Sequence, residues 1–324
     1  MPVLPHSTYQ PPRFLGRRPH LQSILPAKLR RVYGVAYLRE RIDTPDGDFL
    51  DLDWSRIGAK RLVIVSHGLE GSSRRSYVMG MVRAFNAAGW DALGWNYRGC
   101  SGEPNRQLGS YHSGATYDLD TVVQHALPHY DTVVLVGFSL GGNLTLKYLG
   151  ERGADVDARI RSAVAFSVPC DLAAGSKKLA ESGNRIYMWY FLRSLHKKVQ
   201  QKMTMFPGEI DDANYNQIRT FADFDNRYTA PMHGFRDADD YWRRCSSKPL
   251  LTAIRIPTLL VNAQDDPFLP DACYPTKEAQ ASQHVTLEMP RYGGHVGFMS
   301  SKGGATYWSE ERAVAFAHTT SDFV

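Results

Sequence analysis

The sequence predicts an α/β protein with a mostly parallel central sheet flanked by helices and a helical cap inserted between late strands. Two patterns indicate this fold class. Short apolar runs, as strands buried on both faces require, alternate with stretches of helical spacing. The alternation stops near residue 171 and resumes near residue 257. The 324 residues are enough for one large α/β core together with such an insertion.

The predicted elements follow in a regular order. Residues 37–43 and 48–54 flank the turn sequence Thr44-Pro45-Asp46-Gly47, which favours a β-hairpin. Further strands are predicted at residues 62–65, 90–95, 132–136, 160–166, 257–261 and 285–289. Helices are predicted around residues 78–85, 116–126 and 143–149, between the last two strands, and around 306–317. Strands and helices that alternate in this way form a parallel sheet with helices on both faces.

Three regions are predicted to have different structural roles. Residues 1–35 are Pro-rich and basic, have no clear periodicity and are expected to wrap the surface of a domain. Residues 36–170 and 248–324 are expected to form the core. Residues 171–247 are helical or irregular and rich in aromatic side chains, so we expect a cap, or lid, over the active edge of the sheet.

Composition and charge exclude several classes of protein. With 43% hydrophobic and 22% charged residues, the chain is typical of globular proteins and is not disordered as a whole. A net charge of +5 is too small to indicate a nucleic-acid-binding protein. The basic residues cluster at positions 13–31 and 193–202. A solvated surface explains these clusters, and contact with an anionic surface such as lipid headgroups is the alternative.

Cysteine usage and hydropathy bear on the compartment. The four cysteines form no C-x-x-C pair, so zinc and redox motifs are not indicated, and scattered thiols suit a reducing compartment. The N-terminal residues lack the apolar stretch of a secretory signal, and no apolar run is long enough for a transmembrane helix. We expect a cytoplasmic monomer or dimer that uses no cofactor or metal, and peripheral membrane contact remains open.

The sharpest functional signal is the segment Gly137-Phe138-Ser139-Leu140-Gly141, which lies between a predicted strand and a predicted helix. G-x-S-x-G in this context is the turn that exposes a serine nucleophile above a sheet. Side chains at the two glycines would collide with the neighbouring backbone. The start of the helix offers free N–H groups to developing negative charge. We therefore predict Ser139 as the nucleophile.

A serine nucleophile needs a general base, which follows later in the chain in this order of residues. His295 lies in a Gly-rich loop after the final predicted strand and is the predicted base. His284 precedes that strand and would lie at its wrong end. His233 falls in the predicted cap.

The base in turn needs an orienting carboxylate. Asp265 and Asp266 both follow a late predicted strand. Asp266 is favoured because it directly precedes Pro267, in the D-P-x-x-P ending commonly seen for the acid of a triad. Asp265 then becomes a neighbouring or surface charge.

The oxyanion of an acyl-transfer reaction needs two backbone donors. We predict the N–H of Leu140, directly after the nucleophile, and the N–H of Leu69, in the loop Ser66-His67-Gly68-Leu69-Glu70-Gly71 after an early strand. His67 is expected to hold this loop by a hydrogen bond rather than to act as a base.

Eight segments together resemble the α/β-hydrolase superfamily and, more narrowly, its YheT-like branch, the AB hydrolase 4 family. In chain order they are PHLQSILP (19–26), SHGLEG (66–71), NYRGCSGEPN (96–105), YHSGATYDL (111–119), GFSLGGN (137–143), FDNRYTAPMHGF (224–235), NAQDDPF (262–268) and GGHVGF (293–298). The resemblance implies an α/β-hydrolase fold with a lid, a Ser139–Asp266–His295 triad and activity on carboxylic esters. The substrate does not carry over, because esterases, acylglycerol lipases and phospholipid lipases all occur among the relatives.

The functional hypothesis is a serine hydrolase that cleaves a small-molecule ester or lipid, of the short- or medium-chain acyl or acylglycerol type, through an acyl-enzyme on Ser139. The alternative is an acyltransferase with the same triad. An H-x4-D motif would favour the transferase, but five residues separate His112 from Asp118. A catalytically inactive binding protein is disfavoured because all three triad residue types are present.

Other notable residues have structural interpretations. Arg98 and Cys100 lie in a loop that is expected to brace the wall of the site, and His112 and Asp118 are expected to be structural at a helix start. The aromatic stretch 187–192, with Met203, Met205 and Phe206, suits either an acyl pocket or the packing of the cap.

Overall fold

The computed structural model describes residues 3–16, 18–301 and 304–321. The strands are β1 Leu38–Asp43, β2 Phe49–Ser55, β3 Arg61–Ser66, β4 Asp91–Asn96, β5 Thr132–Phe138, β6 Ile160–Phe166, β7 Thr258–Val261 and β8 Val285–Glu288. The α-helices are α1 Pro19–Leu29, α2 Ser76–Ala87, α3 Thr116–Ala126, α4 Leu140–Arg152, α5 Leu172–Ala180, α6 Arg185–Met205, α7 Phe221–Phe224, α8 Ala230–Met232, α9 Ala238–Cys245, α10 Thr276–Ala281 and α11 Trp308–Ser321. In this part of the chain, no helix is both long and apolar enough to cross a membrane.

The strands form one sheet in the order β1-β2-β4-β3-β5-β6-β7-β8. The pairs β1–β2 and β2–β4 are antiparallel, and every later neighbouring pair is parallel. The mostly parallel sheet predicted from the sequence is therefore confirmed.

Apolar side chains cover both faces of the sheet. In β3, Leu62 and Ile64 belong to one buried cluster, while Val63 and Val65 belong to a second cluster on the opposite face. Successive side chains of a strand point to opposite faces, so a strand covered on both sides needs a continuous apolar run. This is why a run without alternation marks the central strands of this sequence.

The loops at one edge of the sheet carry the predicted site residues. Leu69, Ser139, Asp266 and His295 follow β3, β5, β7 and β8, respectively. All four strands are parallel, so their carboxyl ends meet at the same edge. Ligands of open α/β sheets bind at this edge.

The N-terminal segment contains helix α1, which the sequence analysis did not predict. Its pattern is unusual because Pro26 interrupts the helix and the side chains it buries include polar Gln22 and Ser23. Ile24 and Leu29 are exposed instead. A helix stabilised by polar contacts to the rest of the protein has no apolar stripe, so hydrophobic periodicity does not indicate it.

Between β6 and β7, residues 171–247 contain helices α5 to α9, and we refer to them as the cap segment. This segment has a buried apolar cluster of its own, which includes Met188, Leu192 and Phe224. Its long helix α6 also reaches the edge described above, because Ser194 Oγ donates to the Glu70 carboxylate in the loop after β3, at 2.6 Å.

Candidate active site

Ser139 occupies the tight turn between β5 and α4. Its φ of +54° lies in the left-handed region that a non-glycine residue rarely adopts, and its N–H donates to the Phe166 carbonyl oxygen of β6 at 2.8 Å. A Cβ on Gly137 would overlap the Gly141 carbonyl, and one on Gly141 would overlap the carbonyl of Ser66. The two glycines thus let α4 begin directly against the sheet.

His295 lies beside this serine. Its Nε2 atom is 2.9 Å from Ser139 Oγ, and its Nδ1 atom is 2.9 and 3.1 Å from the two carboxylate oxygens of Asp266. Asp266 is buried and also accepts the N–H of Phe268 at 2.9 Å. With its proton on Nδ1, the imidazole donates to Asp266 and presents a lone pair to the serine hydroxyl.

Asp265 points away from the imidazole. One of its oxygens accepts the Gly294 N–H at 2.9 Å, and the other accepts from Gln22 Nε2 of α1 at 2.9 Å. Burial raises the pKa of Asp265. Of the two carboxylates left open by the sequence, Asp266 is the one that contacts His295, and Asp265 fastens the histidine loop to the N-terminal helix.

Helix α1 supports the histidine loop directly. The Ser23 hydroxyl oxygen accepts the backbone N–H of His295 at 2.8 Å. Gly294 has a φ of +57°, and a Cβ there would lie 2.7 Å from the Pro19 carbonyl oxygen. The segment PHLQSILP was noted in the sequence for its family resemblance alone, and no local pattern in it indicated a role in the site.

Two free amides lie beside Ser139. Leu140 is the first residue of α4, and Leu69 lies between Gly68 and Glu70, whose own N–H groups each donate to a tyrosine hydroxyl at 2.9 Å. Among the residues the structure describes, nothing accepts from the amides of Leu69 and Leu140. Gly68 lies against Ser139, because a Cβ on it would be 3.4 Å from Ser139 Cβ. This arrangement can stabilise an oxyanion.

His67 braces the loop after β3. Its Nδ1 atom lies 2.7 Å from the Gly68 carbonyl oxygen, and its Nε2 atom accepts the Tyr97 N–H at 3.3 Å. Burial lowers the pKa of His67 to about 3, so the imidazole is neutral near pH 7. The donor and acceptor roles of one neutral tautomer satisfy both contacts.

Arg98 and Cys100 lie in the loop after β4 and have structural surroundings. The Arg98 guanidinium donates to both oxygens of Asp118 in α3, and to Asp46 at 2.6 Å. Burial raises the pKa of the Cys100 thiol to about 11, which leaves it protonated near pH 7. Neither side chain is set up for nucleophilic chemistry.

A cavity of about 540 Å³ opens at Ser139 and His295. The aromatic stretch of α6 divides between the two roles that its sequence suggested. Met188 and Leu192 belong to the buried cluster of the cap segment. The stretch contributes these cavity-lining side chains: Tyr187, Trp189, Tyr190 and Phe191. The structure does not bring Met203, Met205 or Phe206 to the cavity wall.

An ionic contact links α6 to the loop after β3. Lys198 Nζ lies 3.3 Å from Glu70 Oε1 and donates to the Gly99 carbonyl oxygen at 2.8 Å. The Tyr111 hydroxyl donates to the same Glu70 oxygen at 2.8 Å. Glu70 directly follows Leu69 in the chain. The contact therefore connects the cap segment to the loop that carries one of the two free amides.

Comparisons with known proteins identify the family. A family model described as the alpha/beta hydrolase fold matches residues 61–302. The Escherichia coli protein YheT, named as a candidate esterase, is 39% identical over 289 residues, which are 86% of this chain and 84% of YheT. The chain belongs to the YheT-like family of α/β hydrolases. The resemblance predicted from its motifs is confirmed.

Two further comparisons agree with this family. Human phospholipase ABHD3 is 31% identical to this α/β hydrolase over 277 residues, 82% of this chain and 67% of ABHD3. Among solved structures, the esterase Pf2001 of Pyrococcus furiosus superposes with a TM-score of 0.58 over 90% of this chain and 98% of that protein. At 17% identity, this second likeness shows the fold alone.

Proposed function

We propose that this α/β hydrolase cleaves carboxylic esters through an acyl-enzyme on Ser139. The observation that carries the proposal is the continuous hydrogen-bonded chain from Asp266 through His295 to Ser139, with 2.9 Å at each link, at the opening of an apolar cavity. The names of YheT and ABHD3, one a candidate esterase and the other a phospholipase, support ester substrates.

In the proposed reaction, each of these groups has one step. As Ser139 Oγ attacks the ester carbonyl carbon, His295 Nε2 takes the hydroxyl proton, and Asp266 stabilises the imidazolium that forms. The N–H groups of Leu69 and Leu140 hold the oxyanion. His295 then returns the proton to the departing alcohol. In the second half, a water molecule loses a proton to His295, attacks the acyl carbon and releases the acid and the serine.

The shape of the cavity supports an acyl group longer than acetyl. A volume of about 540 Å³ is in the range of sites that enclose a whole small ligand. Its wall includes the apolar side chains of Phe191, Leu195, Val199 and Phe221, which suit a hydrocarbon chain. Medium-chain and acylglycerol-type esters fit this wall.

Turnover of p-nitrophenyl esters of increasing acyl length tests the proposal. The Ser139→Ala variant should lose several powers of ten in kcat, with its thermal unfolding little changed. Ser162→Ala serves as the matched control, because this serine is buried in the neighbouring strand β6, away from the cavity. Retained hydrolysis in Ser139→Ala would refute the assignment. Transfer to added ethanol in preference to water would assign the acyltransferase alternative.

A further inference from the structure

Large apolar side chains are exposed on two helices beside the cavity. They are Leu21, Ile24 and Leu29 on α1, with Ile186, Trp189 and Tyr190 on α6. We call these six residues the mouth face. Ile186 is 78% and Trp189 59% exposed, and both also line the cavity, so they mark where the cavity opens to solvent. Apolar groups gathered at an opening in this way indicate an interaction surface.

The two helices form one continuous surface at this opening. The Lys28 amine of α1 lies 4.8 Å from the centre of the Tyr190 ring of α6. Near the other end of α1, the His20 ring stacks on Tyr187, with 3.2 Å between Nδ1 and the tyrosine hydroxyl oxygen. The apolar groups of α1 and α6 therefore meet any partner together.

The two segments that carry the mouth face are rich in cationic residues. The segments 13–37 and 182–208, which carry α1 and α6, contain eleven Lys and Arg residues and no Asp or Glu. The whole chain has a net charge of +5, so the remainder of the protein is net negative. Exposed cations of these segments include Arg18, Lys28, Arg31, Arg185, Arg193 and Lys197. These exposed cations lie on or directly beside the two helices that carry the mouth face, whereas Arg30 and Lys198 of the same segments are paired with Glu310 and Glu70.

The arrangement along α6 follows the helical repeat. Residues 186, 189, 190, 193 and 197 succeed one another at intervals that keep them on one side of a helix. The Arg193 guanidinium lies 5.3 Å from the centre of the Trp189 ring. Met188, Leu192 and Val199 lie on the other side, in the cluster of the cap segment. A Trp and aliphatic surface bordered by Lys and Arg is typical of helices that lie in the interface of a bilayer.

We propose that the mouth face docks on the surface of an anionic lipid bilayer. Its apolar side chains enter the boundary between headgroups and acyl chains, and the surrounding cations contact lipid phosphates. The docked cavity opens toward the membrane, so an acyl chain reaches Ser139 without crossing water. The proposal of docking depends only on this surface, whereas the delivery of substrate from the membrane also depends on the proposed ester hydrolysis.

Vesicle flotation of the Ser139→Ala protein tests docking apart from catalysis. Vesicles of phosphatidylcholine alone are compared with equimolar phosphatidylcholine and phosphatidylglycerol. We expect flotation with the anionic vesicles, weakened by salt, and little with the neutral ones. Binding should also shift tryptophan emission to shorter wavelength, and Trp189→Phe should reduce that shift. Equal flotation with both vesicles, or none, would overturn the proposal and leave the face to a protein partner or a second copy.

Paired variants locate the contact. Ile186→Ser combined with Trp189→Ser should abolish flotation. Arg193→Gln and Lys197→Gln should each weaken it roughly fivefold, the effect of one cation near an anionic surface. These two side chains do not line the cavity, so hydrolysis of a water-soluble ester should be unchanged when they are replaced in the active enzyme.

The controls are substitutions at the opposite edge of the sheet. Ile57, which is 54% exposed, and Lys60 lie just before β3, at the amino ends of the parallel strands. Ile57→Ser and Lys60→Gln should float as the parent protein does. Loss of flotation in these controls, or normal flotation in the mouth-face variants, would contradict the proposed orientation.

Discussion

Asp265 and Asp266 offer a matched pair of substitutions, because two adjacent carboxylates have different contacts. Asp266 lies 2.9 Å from His295 Nδ1, whereas Asp265 binds the Gly294 N–H and Gln22. Replacing either residue by Asn removes one charge and keeps the size. The two variants should therefore differ in catalysis far more than in stability.

In Asp266→Asn, the amide can turn its NH2 group toward His295 Nδ1, which then becomes an acceptor. The ring proton moves to Nε2, and the imidazole can no longer take the proton of Ser139. A wrong tautomer of this kind lowers kcat about 10⁴-fold. This loss corresponds to about 5 kcal/mol of transition-state stabilisation. The remaining rate reflects substrate binding and the oxyanion donors, which the substitution leaves in place.

In Asp265→Asn, the new carbonyl oxygen can accept the Gly294 N–H, and the Gln22 amide can turn so that its oxygen accepts from the new NH2 group. Contacts to a charged acceptor are thereby replaced by weaker contacts between neutral groups. We expect a loss of about 1–3 kcal/mol in unfolding free energy. Removal of a buried charge, whose pKa burial already raises, offsets part of it. Because His295 keeps its orienting carboxylate, kcat should fall less than tenfold.

Steady-state hydrolysis of p-nitrophenyl butyrate measures kcat and KM for both variants, and thermal melting monitors folding. The reasoning would be refuted if Asp265→Asn lost the larger part of kcat, or if Asp266→Asn kept most of it while folded. Equal losses in both variants would mean that the histidine loop, rather than the tautomer, controls the rate.

Three further predictions concern supporting contacts. Glu70→Gln leaves the Lys198 amine without its carboxylate and should lower both the melting temperature and kcat. Adding Lys198→Met to this variant should restore part of the stability. If the stability effects of the two substitutions simply added, the contact would not contribute to stability. Ser23→Ala deprives the His295 N–H of its acceptor and should lower kcat with little change in KM. Ser23→Thr keeps a hydroxyl group and should retain more activity. Equal kcat values for these two variants would contradict the supporting role of Ser23. Burial raises the pKa of Asp225 to about 6, so the contribution of this group to stability is complete below about pH 4 and is lost as pH rises through 6. Asp225→Asn should remove this loss of stability, which reaches about 3 kcal/mol at pH 8. Identical pH profiles of the melting temperature for the variant and the parent protein would contradict this prediction.

The parts of the fold that the sequence predicts are those with local signals. A continuous apolar run predicts strands such as β5, and two glycines predict the turn at Ser139. Asp266 and His295 were found because each follows a strand whose end faces the same edge of the sheet. The structure brings these three side chains within hydrogen-bonding distance.

What the sequence did not predict depends on contacts between distant residues. The pairing of Gln22 with Asp265 joins positions 243 residues apart, and the ion pair of Glu70 with Lys198 joins the loop after β3 to helix α6. Neither partner of such a pair carries a spacing or composition that marks it. Helix α1 also lacks such a mark, since two of the three side chains it buries, Gln22 and Ser23, are polar.

Because α1 supports the histidine loop, the proposed activity depends on synthesis of the chain as far as His295. Ser23 and His295, which are 272 positions apart, must both emerge from the ribosome before their bond can form. Until then, a nascent chain carries Ser139 and helix α1 without the proposed base, His295. Under the proposed mechanism, chains that terminate before His295 are catalytically silent, and ester cleavage reports only molecules in which the bond between Ser23 and His295 has formed.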